Sequence, residues 1–380
     1  MINNIIAKTF IDMADMLETG SIKSRNTIAL TGLGSELGEE VVIKAAQIAT
    51  QNGLKIVYIG TQKCEYFECI YANCDADAHE VMDNLINDGK IQGAVTMHYP
   101  FPIGMATVGR IEAPATGLPF YIASTTGTTS SNRVEAMVKN AINGLAVAKI
   151  CGNKNPSLGI LNLDGAKQCE GILRALNSAG YEINFAVSKR ADKGSILRGN
   201  DLLQGSADVL VCDSLTGNIL MKTLSAYATG GNVEAVGWGY GPAVGEGAKL
   251  SILIVSRASG TAVIANALQY AYELAGGDFE KTIAGEYKKA KAAGLDEALK
   301  TLKEKSANPN EQVVKPPKEV VTAEIMGIDV MDIEEAVQSL WKFNIYAESG
   351  MGCTGPILMV SEANLVKAKE ILVKNSYIQN

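Results

Sequence analysis

The chain has 380 residues, 47% of them hydrophobic, which is enough for a sizeable buried core spread over two or three domains. A formal charge of -7 argues against binding to the phosphate backbone of nucleic acid. The sequence contains no run of about 18 apolar residues that could span a membrane, and its seven cysteines, without a signal-peptide pattern, favour reduced thiols. We therefore expect a globular, cytoplasmic protein without nucleic-acid or membrane partners.

Short apolar runs alternate with helical periodicity, which predicts an α/β fold. An amphipathic helix is predicted over residues 1–25, followed by a strand at Thr27–Thr31. The glycine-rich turn at 32–38 resembles the dinucleotide fingerprint, but its third glycine comes one residue late. The next strand ends at Gly60 without the acidic residue that would hold a ribose. A nicotinamide cofactor is therefore disfavoured; the glycines are interpreted as close-packing positions, and an anion at the helix start remains an alternative.

The chain contains two histidines, and His98 is the candidate general base. It follows a strand predicted at 91–97, and ligands in open α/β sheets bind at the carboxyl ends of strands. A histidine satisfied inside a proline-rich turn is the alternative. His79 lies in a charged helical stretch, where we expect a solvated side chain. The cysteines show no zinc-ligand spacing, so no metal site is expected.

Cations and hydroxyls at three other strand ends suit a phosphate group. The segment 124–133 is dense in hydroxyls and ends in Arg133, at the start of a helix predicted over 134–150. Arg198 belongs to a cluster of basic residues in an otherwise acidic protein. A third group precedes a helix predicted over 262–276, and it comprises Ser256, Arg257 and Ser259. A polar capping loop also explains the segment 124–133, and a solvated loop explains the basic cluster with Arg198 equally well.

A buried strand predicted at 207–212 leads into a loop at Asp213–Gly217, with a helix predicted to begin at Asn218. Asn218 and Lys222 lie four residues apart, and therefore on one face of that helix. Further on, the segment Gly237–Gly247 is the most glycine-rich part of the chain. We predict that it forms a mobile loop.

We predict a core at 1–310 with a joint near 151–156, a linker at 311–319 and a C-terminal module at 320–380. The module contains Cys353 within a glycine-rich run. Glycine at 350, 352 and 355 is expected to allow positive φ, so that the N–H groups of Gly352, Thr354 and Gly355 could converge on a thiolate or an oxyanion. The alternative is a tight turn whose cysteine packs as a small hydrophobic residue.

Two motifs carry a family resemblance. The run Asp213–Asn218 with Lys222 resembles the signature of the phosphate acyltransferases of phospholipid synthesis, although Ser214 stands where that family has glycine. The loops at 98–104, 198–203 and 350–356 together resemble the alpha subunits of component C of the glycine/sarcosine/betaine reductase complex. The second resemblance covers nearly the whole chain.

The resemblance implies a fold of the phosphate acyltransferase and isopropylmalate dehydrogenase group, with a mostly parallel sheet and two lobes around a cleft. It also implies an activity: phosphate cleaves an acetyl thioester on Cys353, derived from a carboxymethylated selenoprotein carrier, to acetyl phosphate. The expected partners are the beta subunit of component C and the selenoprotein carrier, in an oligomer, with phosphate as substrate and no cofactor. The alternatives are a phosphate acyltransferase acting on acyl carrier protein and a non-catalytic docking subunit.

Overall fold

The structure is a computed structural model that describes residues 10, 13–14, 26–189, 193–307, 314–328, 332–352, 355–375 and 377–378. The helix predicted over residues 1–25 lies almost entirely outside these residues. Contacts divide the chain into two compact units, one of residues 1–162 and 166–295 and the other of residues 163–165 and 296–380. Each unit has buried apolar clusters of its own.

The first unit alternates strands with helices, as the apolar periodicity predicts. Its elements are β1 (Thr27–Thr31), α1 (Glu39–Gln51), β2 (Lys55–Gly60), β3 (Glu68–Tyr71), α2 (Asp75–Asn87), β4 (Gly93–Thr96), β5 (Met105–Glu112), β6 (Pro119–Thr128), α3 (Arg133–Ile150), β7 (Ser157–Leu161), α4 (Ala166–Ser178), β8 (Asn184–Phe185), β9 (Ile196–Leu197), α5 (Gly199–Gln204), β10 (Val209–Val211), α6 (Ser214–Ala226), β11 (Gly241–Val244), β12 (Ser251–Ile254), α7 (Thr261–Ala275) and α8 (Phe279–Ala292). Helix α9 (Leu295–Ala307) begins at the boundary between the units.

In the described part of the chain the strands of this unit form one 12-stranded sheet in the order β3-β2-β1-β4-β12-β11-β5-β6-β10-β7-β8, with β9 also paired to β7. The strands from β3 to β12 in this order are parallel to one another, and so are those from β6 to β8. Antiparallel pairs through β11 and β5 join the two sets. The predicted α/β class with a mostly parallel sheet is therefore confirmed.

The prediction of a mobile loop at Gly237–Gly247 is wrong. Within it, β11 is a fully buried strand that pairs with β12 on one side and β5 on the other. Gly241 has a φ of 83°, and a Cβ atom there would lie only 1.7 Å from the carbonyl oxygen of Val108. The glycines thus allow close backbone approach within the sheet, which a sequence pattern cannot distinguish from mobility.

The glycine turn between β1 and α1 packs around a buried tyrosine. A Cβ atom at Gly32 would lie 1.9 Å from Tyr58 Oη, and one at Gly60 would lie 2.7 Å from it. The close-packing interpretation is therefore confirmed for Gly32, whereas Gly34 and Gly38 instead adopt a positive φ of 85°. Tyr58 Oη and the Thr61 amide both donate to the Glu39 carboxylate at the start of α1. Burial raises the pKa of Glu39, but these hydrogen bonds outweigh it and lower the pKa overall, so a carboxylate of the chain itself occupies this helix start and disfavours a bound anion.

Helix α3 is buried along almost its whole length. Polar side chains interrupt it nonetheless: Lys139 pairs with Glu135 at 2.7 Å, and Asn143 donates to the Val244 carbonyl and accepts from Tyr287 Oη. Over the part of the chain that the structure describes, no helix is both long and apolar enough to cross a lipid bilayer.

The second unit is a three-stranded antiparallel sheet with helices. Its remaining elements are β13 (Ala323–Ile325), α10 (Ile333–Trp341), β14 (Ala347–Gly352), β15 (Gly355–Val360) and α11 (Leu365–Lys374). The strand order is β13-β15-β14, and Leu340, Leu358 and Leu372 form part of its fully buried centre. Strands β14 and β15 are paired as far as Gly352 opposite Gly355. Cys353 and Thr354, which lie between those two glycines in the sequence, are outside the described residues.

The positive φ expected at Gly350 is wrong. Gly350 lies in β14 opposite Ile357, and a Cβ atom there would approach the Met359 methyl carbon to 3.0 Å. Glycine at this position therefore relieves crowding between two paired strands. The oxyanion role of the Gly352, Thr354 and Gly355 amides stays a prediction.

Candidate functional site

The motif Asp213–Asn218 forms the start of a helix rather than a loop. Asp213 is the N-cap of α6: its carboxylate accepts from the Thr216 amide at 3.0 Å and from Thr216 Oγ1 at 2.8 Å. The helix consequently begins at Ser214, and the predicted start at Asn218 is wrong. An aspartate cap satisfies the free N–H groups of the first turn, so Ser214–Gly217 can be helical despite their turn-like composition.

Helix α6 lies directly against the middle of β6. A Cβ atom at Gly217 would lie 1.8 Å from the Ser124 carbonyl oxygen, so only glycine permits this approach. Asn218 Nδ2 donates to the Thr125 carbonyl at 3.3 Å. The glycine and the asparagine of the signature thus dock the helix on the strand.

We expect Gly217→Ala to destabilise the first unit by about 3 kcal/mol or more, because α6 or β6 must move to admit the methyl group. Thermal unfolding monitored by circular dichroism measures the effect. The matched control is Gly171→Ala in α4, where an added Cβ meets nothing within 4 Å and better helix propensity should stabilise by about 0.5–1 kcal/mol. Equal unfolding midpoints for the two variants would contradict the close approach.

An ion pair and a cavity lie at the start of α3 and α6. Arg133, the first residue of α3, pairs with Asp213 at 2.9 Å. Burial raises the pKa of Asp213, but hydrogen bonds from Thr216 and Arg133 outweigh it and hold the pKa below its usual value. The cavity beside the pair has a volume of about 200 Å³, and its hydroxyl-bearing lining residues are Ser124, Thr128, Thr129, Ser130, Ser131 and Ser214. Hydroxyls and helix N-termini of this kind suit an anionic group.

Two turns along α6, Lys222 reaches the loop that follows β12. Lys222 Nζ lies 2.9 Å from Ser256 Oγ and 3.0 Å from Glu234 Oε1. The lysine side chain is 51% exposed, whereas the glutamate side chain is 1% exposed. Helix α6 thereby brings residues from distant parts of the sequence together around Lys222. This residue lies about 13 Å along the helix from Asp213.

Internal hydrogen bonds hold the Ser256–Gly260 loop. Ser256 Oγ accepts from the Ala258 amide at 3.2 Å as well as from Lys222. Ser259 is fully buried: its Oγ accepts from the Ser256 amide and donates to Glu234 Oε2, both at 3.0 Å. Ser256 is therefore the serine of this loop that lies at the surface of the site, and Ser259 supports it from beneath.

Arg257 is the exposed cation of this loop. Its backbone carbonyl accepts from the Glu36 amide at 2.8 Å, which fixes the main chain. Among the residues that the structure describes, its guanidinium has no hydrogen-bond or ion-pair partner. The side chain lies three residues before the Gly260 N-cap of α7, where a guanidinium and a helix start both favour an anion.

The structure brings the two histidines close to each other. His98 is exposed after β4, and its ring centroid lies 6.5 Å from that of His79. The solvated position expected for His79 is wrong, because its side chain is partly buried, with Nε2 3.5 Å from Thr96 Oγ1. Thr96 in β4 lies opposite Ile254 in the parallel strand β12, so His98 and Ser256 follow neighbouring strands at the same edge of the sheet. These residues also contain no cluster of three or more His, Cys, Asp or Glu side chains arranged to hold a metal ion.

Arg198 lies on the same edge of the sheet as Asp213. It follows β9, is exposed, and donates its amide to Asp201 at 3.1 Å. Strand β9 pairs with β7, and β7 pairs with β10, which Asp213 follows. Two strand spacings amount to about 10 Å, so Arg198 is a neighbour of the Arg133 cavity rather than part of its lining.

Sequence reasoning did not identify Glu234. This residue follows Gly230, Gly231 and Asn232, a composition typical of an exposed turn, yet it is 1% exposed. Its carboxylate forms an ion pair with Lys222 and accepts hydrogen bonds from Ser259 and Tyr240. No local sequence signal marks such a residue, because its partners come together only through tertiary packing.

Comparisons with known proteins show what this chain is similar to. A family model described as "Fatty acid synthesis protein" matches residues 26–359. The chain is 51% identical over 375 residues to the glycine/sarcosine/betaine reductase complex component C subunit alpha of Peptoclostridium acidaminophilum, covering 98% of this chain and 97% of that protein. It is 27% identical over 165 residues to a phosphate acyltransferase of Thermosipho melanesiensis, covering 42% of this chain and 47% of that protein. A branched-chain phosphotransacylase of Enterococcus faecalis aligns with a TM-score of 0.47 and 16% identity, covering 66% of this chain and 99% of that one.

Proposed function

The chain belongs to the fatty acid synthesis protein family and, within it, to the component C alpha subunits of the glycine/sarcosine/betaine reductase complex, and on that premise we propose that it transfers an acetyl group from a thioester to phosphate. Other relatives in the comparisons are phosphate acyltransferases, which supports acyl transfer as the reaction class. The proposed product is acetyl phosphate. The proposed thioester derives from the carboxymethyl group of a selenoprotein carrier.

The observation that carries the proposal is the contact of Lys222 with Ser256 beside the unpaired guanidinium of Arg257. Ser256 Oγ accepts from Lys222 and from the Ala258 amide, so its own hydrogen is left to donate to a ligand oxygen. Arg257 can hold phosphate through two parallel hydrogen bonds. A thioester carbonyl bound beside these groups would lie next to the phosphate nucleophile. It would also lie next to hydrogen-bond donors for the oxyanion that develops in the reaction.

The phosphorolysis step balances without a redox partner. A phosphate oxygen attacks the thioester carbonyl, a C–O bond forms, and the tetrahedral oxyanion collapses with loss of the C–S bond. The thiolate leaves and takes up a proton, for which His98 is the proposed shuttle. Arg133, Arg198, Asp213 and Asn218 are proposed to bind the remainder of the substrate.

Cys353 is the proposed carrier of the acetyl group, with the N–H groups of Gly352, Thr354 and Gly355 as its oxyanion donors. A free cysteine is only a few per cent thiolate at pH 7, so the site must stabilise the anion for the reaction to be efficient. We further propose that the chain works in the cytoplasm in an oligomer with the beta subunit and the selenoprotein carrier. Neither a cofactor nor a metal ion takes part.

Arsenolysis tests the proposal on the purified full chain. Acetyl phosphate would acetylate Cys353, and arsenate would then attack the thioester to give acetyl arsenate, which hydrolyses in water. We expect arsenate-dependent loss of acetyl phosphate without any added thiol. No loss, either with or without an acyl carrier thiol, would reject catalysis by this chain.

The same assay separates the two alternatives. A phosphate acyltransferase without a covalent cysteine would consume acetyl phosphate only when an acyl carrier protein supplies the thiol. The observation that supports this second candidate is the 27% identity to a phosphate acyltransferase over 42% of the chain. A docking subunit would show no turnover under any of these conditions, since fold alone does not determine function.

A further inference from the structure

We propose that Glu234 is the positioning residue of the candidate site: its buried carboxylate holds Lys222 against Ser256 and braces the loop that carries Arg257. The inference rests on the proposed function and adds to it a residue that neither the motifs nor the resemblance indicated. Glu234 would act through its neighbours rather than by touching the reacting atoms.

Both the backbone and the side chain of Glu234 are tied to the loop after β12. Its amide donates to the Ala258 carbonyl at 3.0 Å, and its carbonyl accepts from the Gly260 amide at 2.9 Å. Glu234 and Ser259 thereby form a parallel β-bridge. The loop therefore cannot shift without moving Glu234.

Donors engage both carboxylate oxygens of Glu234. Oε1 lies 3.0 Å from Lys222 Nζ and 3.1 Å from Tyr240 Oη, and Oε2 accepts from Ser259 Oγ at 3.0 Å. A buried carboxylate needs such partners, because burial removes the water that would otherwise stabilise its charge. The arrangement fixes the ammonium of a lysine whose side chain is still half-exposed to the site.

This geometry determines which hydrogens remain for a ligand. The Lys222 ammonium has three N–H groups; one points to Glu234 and one to Ser256, so the third is left for a substrate oxygen. Because Ser256 Oγ accepts from Lys222 and from the Ala258 amide, its own O–H is left to donate to a ligand. Removing the negative charge at 234 would free Lys222 to turn away, and both donors would then lose their direction.

Another buried glutamate provides a matched control. Glu286 is 2% exposed and lies 2.7 Å from Lys149 Nζ, 3.0 Å from Lys289 Nζ and 3.1 Å from Tyr181 Oη. Its partners are ammonium and phenol groups like those of Glu234, with a second lysine in place of the serine, and none of them is a candidate site residue. Glu286→Gln reports what loss of a buried, paired charge does to the fold alone.

The test compares Glu234→Gln with Glu286→Gln in the full chain. Two quantities are measured: the rate at which acetic anhydride labels Lys222, mapped by mass spectrometry, and kcat/KM for arsenate in arsenolysis. For Glu234→Gln we expect several-fold faster labelling of Lys222 and a loss of about 100-fold in kcat/KM, because small displacements of positioned groups have large effects on rate. For Glu286→Gln we expect Lys222 labelling and kcat/KM close to those of the unmodified chain.

Tyr240→Phe is the second variant, for use if Glu234→Gln does not fold. It removes one donor to Glu234 without a change of charge, and we expect a smaller rise in Lys222 labelling with a smaller loss of kcat/KM. Unchanged labelling in Glu234→Gln, or in Tyr240→Phe if the former does not fold, would overturn the proposal. So would a loss of kcat/KM no larger than that of Glu286→Gln. If the unmodified chain shows no arsenolysis, the proposed function fails, and Lys222 labelling alone still decides the role of Glu234.

Discussion

Replacement of Cys353 by alanine is expected to abolish arsenolysis of acetyl phosphate, with a loss on the order of 10³-fold or more. In the proposed reaction this thiol carries the acetyl group. Without it the covalent acetyl-enzyme intermediate cannot form, which is a larger loss than that of one contact to the intermediate. Mass spectrometry of the unmodified chain after incubation with acetyl phosphate should show an acetyl group on the peptide that contains Cys353. The alanine variant should show none.

Cys74→Ala is the control for the loss of a thiol, because Cys74 is exposed and belongs to none of the candidate groups. It should retain the activity of the unmodified chain. Acetylation at a different residue, together with full turnover by Cys353→Ala, would remove Cys353 from the mechanism. Turnover by Cys353→Ala that depends on added acyl carrier protein would favour the phosphate acyltransferase alternative.

Replacement of Arg257 by alanine is expected to lower kcat/KM for arsenate and phosphate by about 100-fold, in the range found when one preorganised donor is lost from an active site. The guanidinium has no partner among the described residues, so its removal leaves no buried charge uncompensated and the fold should be unaffected. Most of the loss should appear in KM for the oxyanion. Steady-state arsenolysis over a range of arsenate concentrations separates the effect on KM from the effect on kcat.

Two further variants sharpen the Arg257 experiment. Arg257→Lys keeps the charge but loses the bidentate geometry, and should fall between alanine and the unmodified chain. Arg174→Ala is the control, because Arg174 lies on α4, pairs with Glu170 at 2.8 Å and stacks on Phe185. An oxyanion KM in Arg257→Ala that equals the KM in Arg174→Ala would rule out a phosphate-binding role for Arg257.

The signature run shows how far sequence reasoning reached and where it stopped. The positions of Asp213, Asn218 and Lys222 were identified from the chain, because a motif is a local pattern. The start of α6 was placed four residues too late, because Ser, Thr and Gly favour turns unless a capping side chain satisfies the first N–H groups. That cap is the Asp213 carboxylate, and its effect depends on geometry as much as on residue type.

Strand β11 and Glu234 were missed for a related reason. Glycine-rich segments are typical of mobile loops, and only the neighbouring backbone of β5 shows that Gly241 is needed for close pairing. A glutamate after two glycines and an asparagine looks exposed. Its partners are the Ser259 hydroxyl, the Lys222 ammonium and the Tyr240 phenol. Ser259 lies 25 positions further along the chain.

The sequence by itself determined the α/β class, most helices and strands, the family and the candidate residues, because periodicity, capping chemistry and motifs depend on neighbours along the chain. Only the tertiary structure decided which candidates meet. Lys222 contacts Ser256 across 34 positions, and Arg133 contacts Asp213 across 80. Such contacts follow from the order of strands in the sheet and from the packing of α6 on β6, which no local pattern of residues encodes.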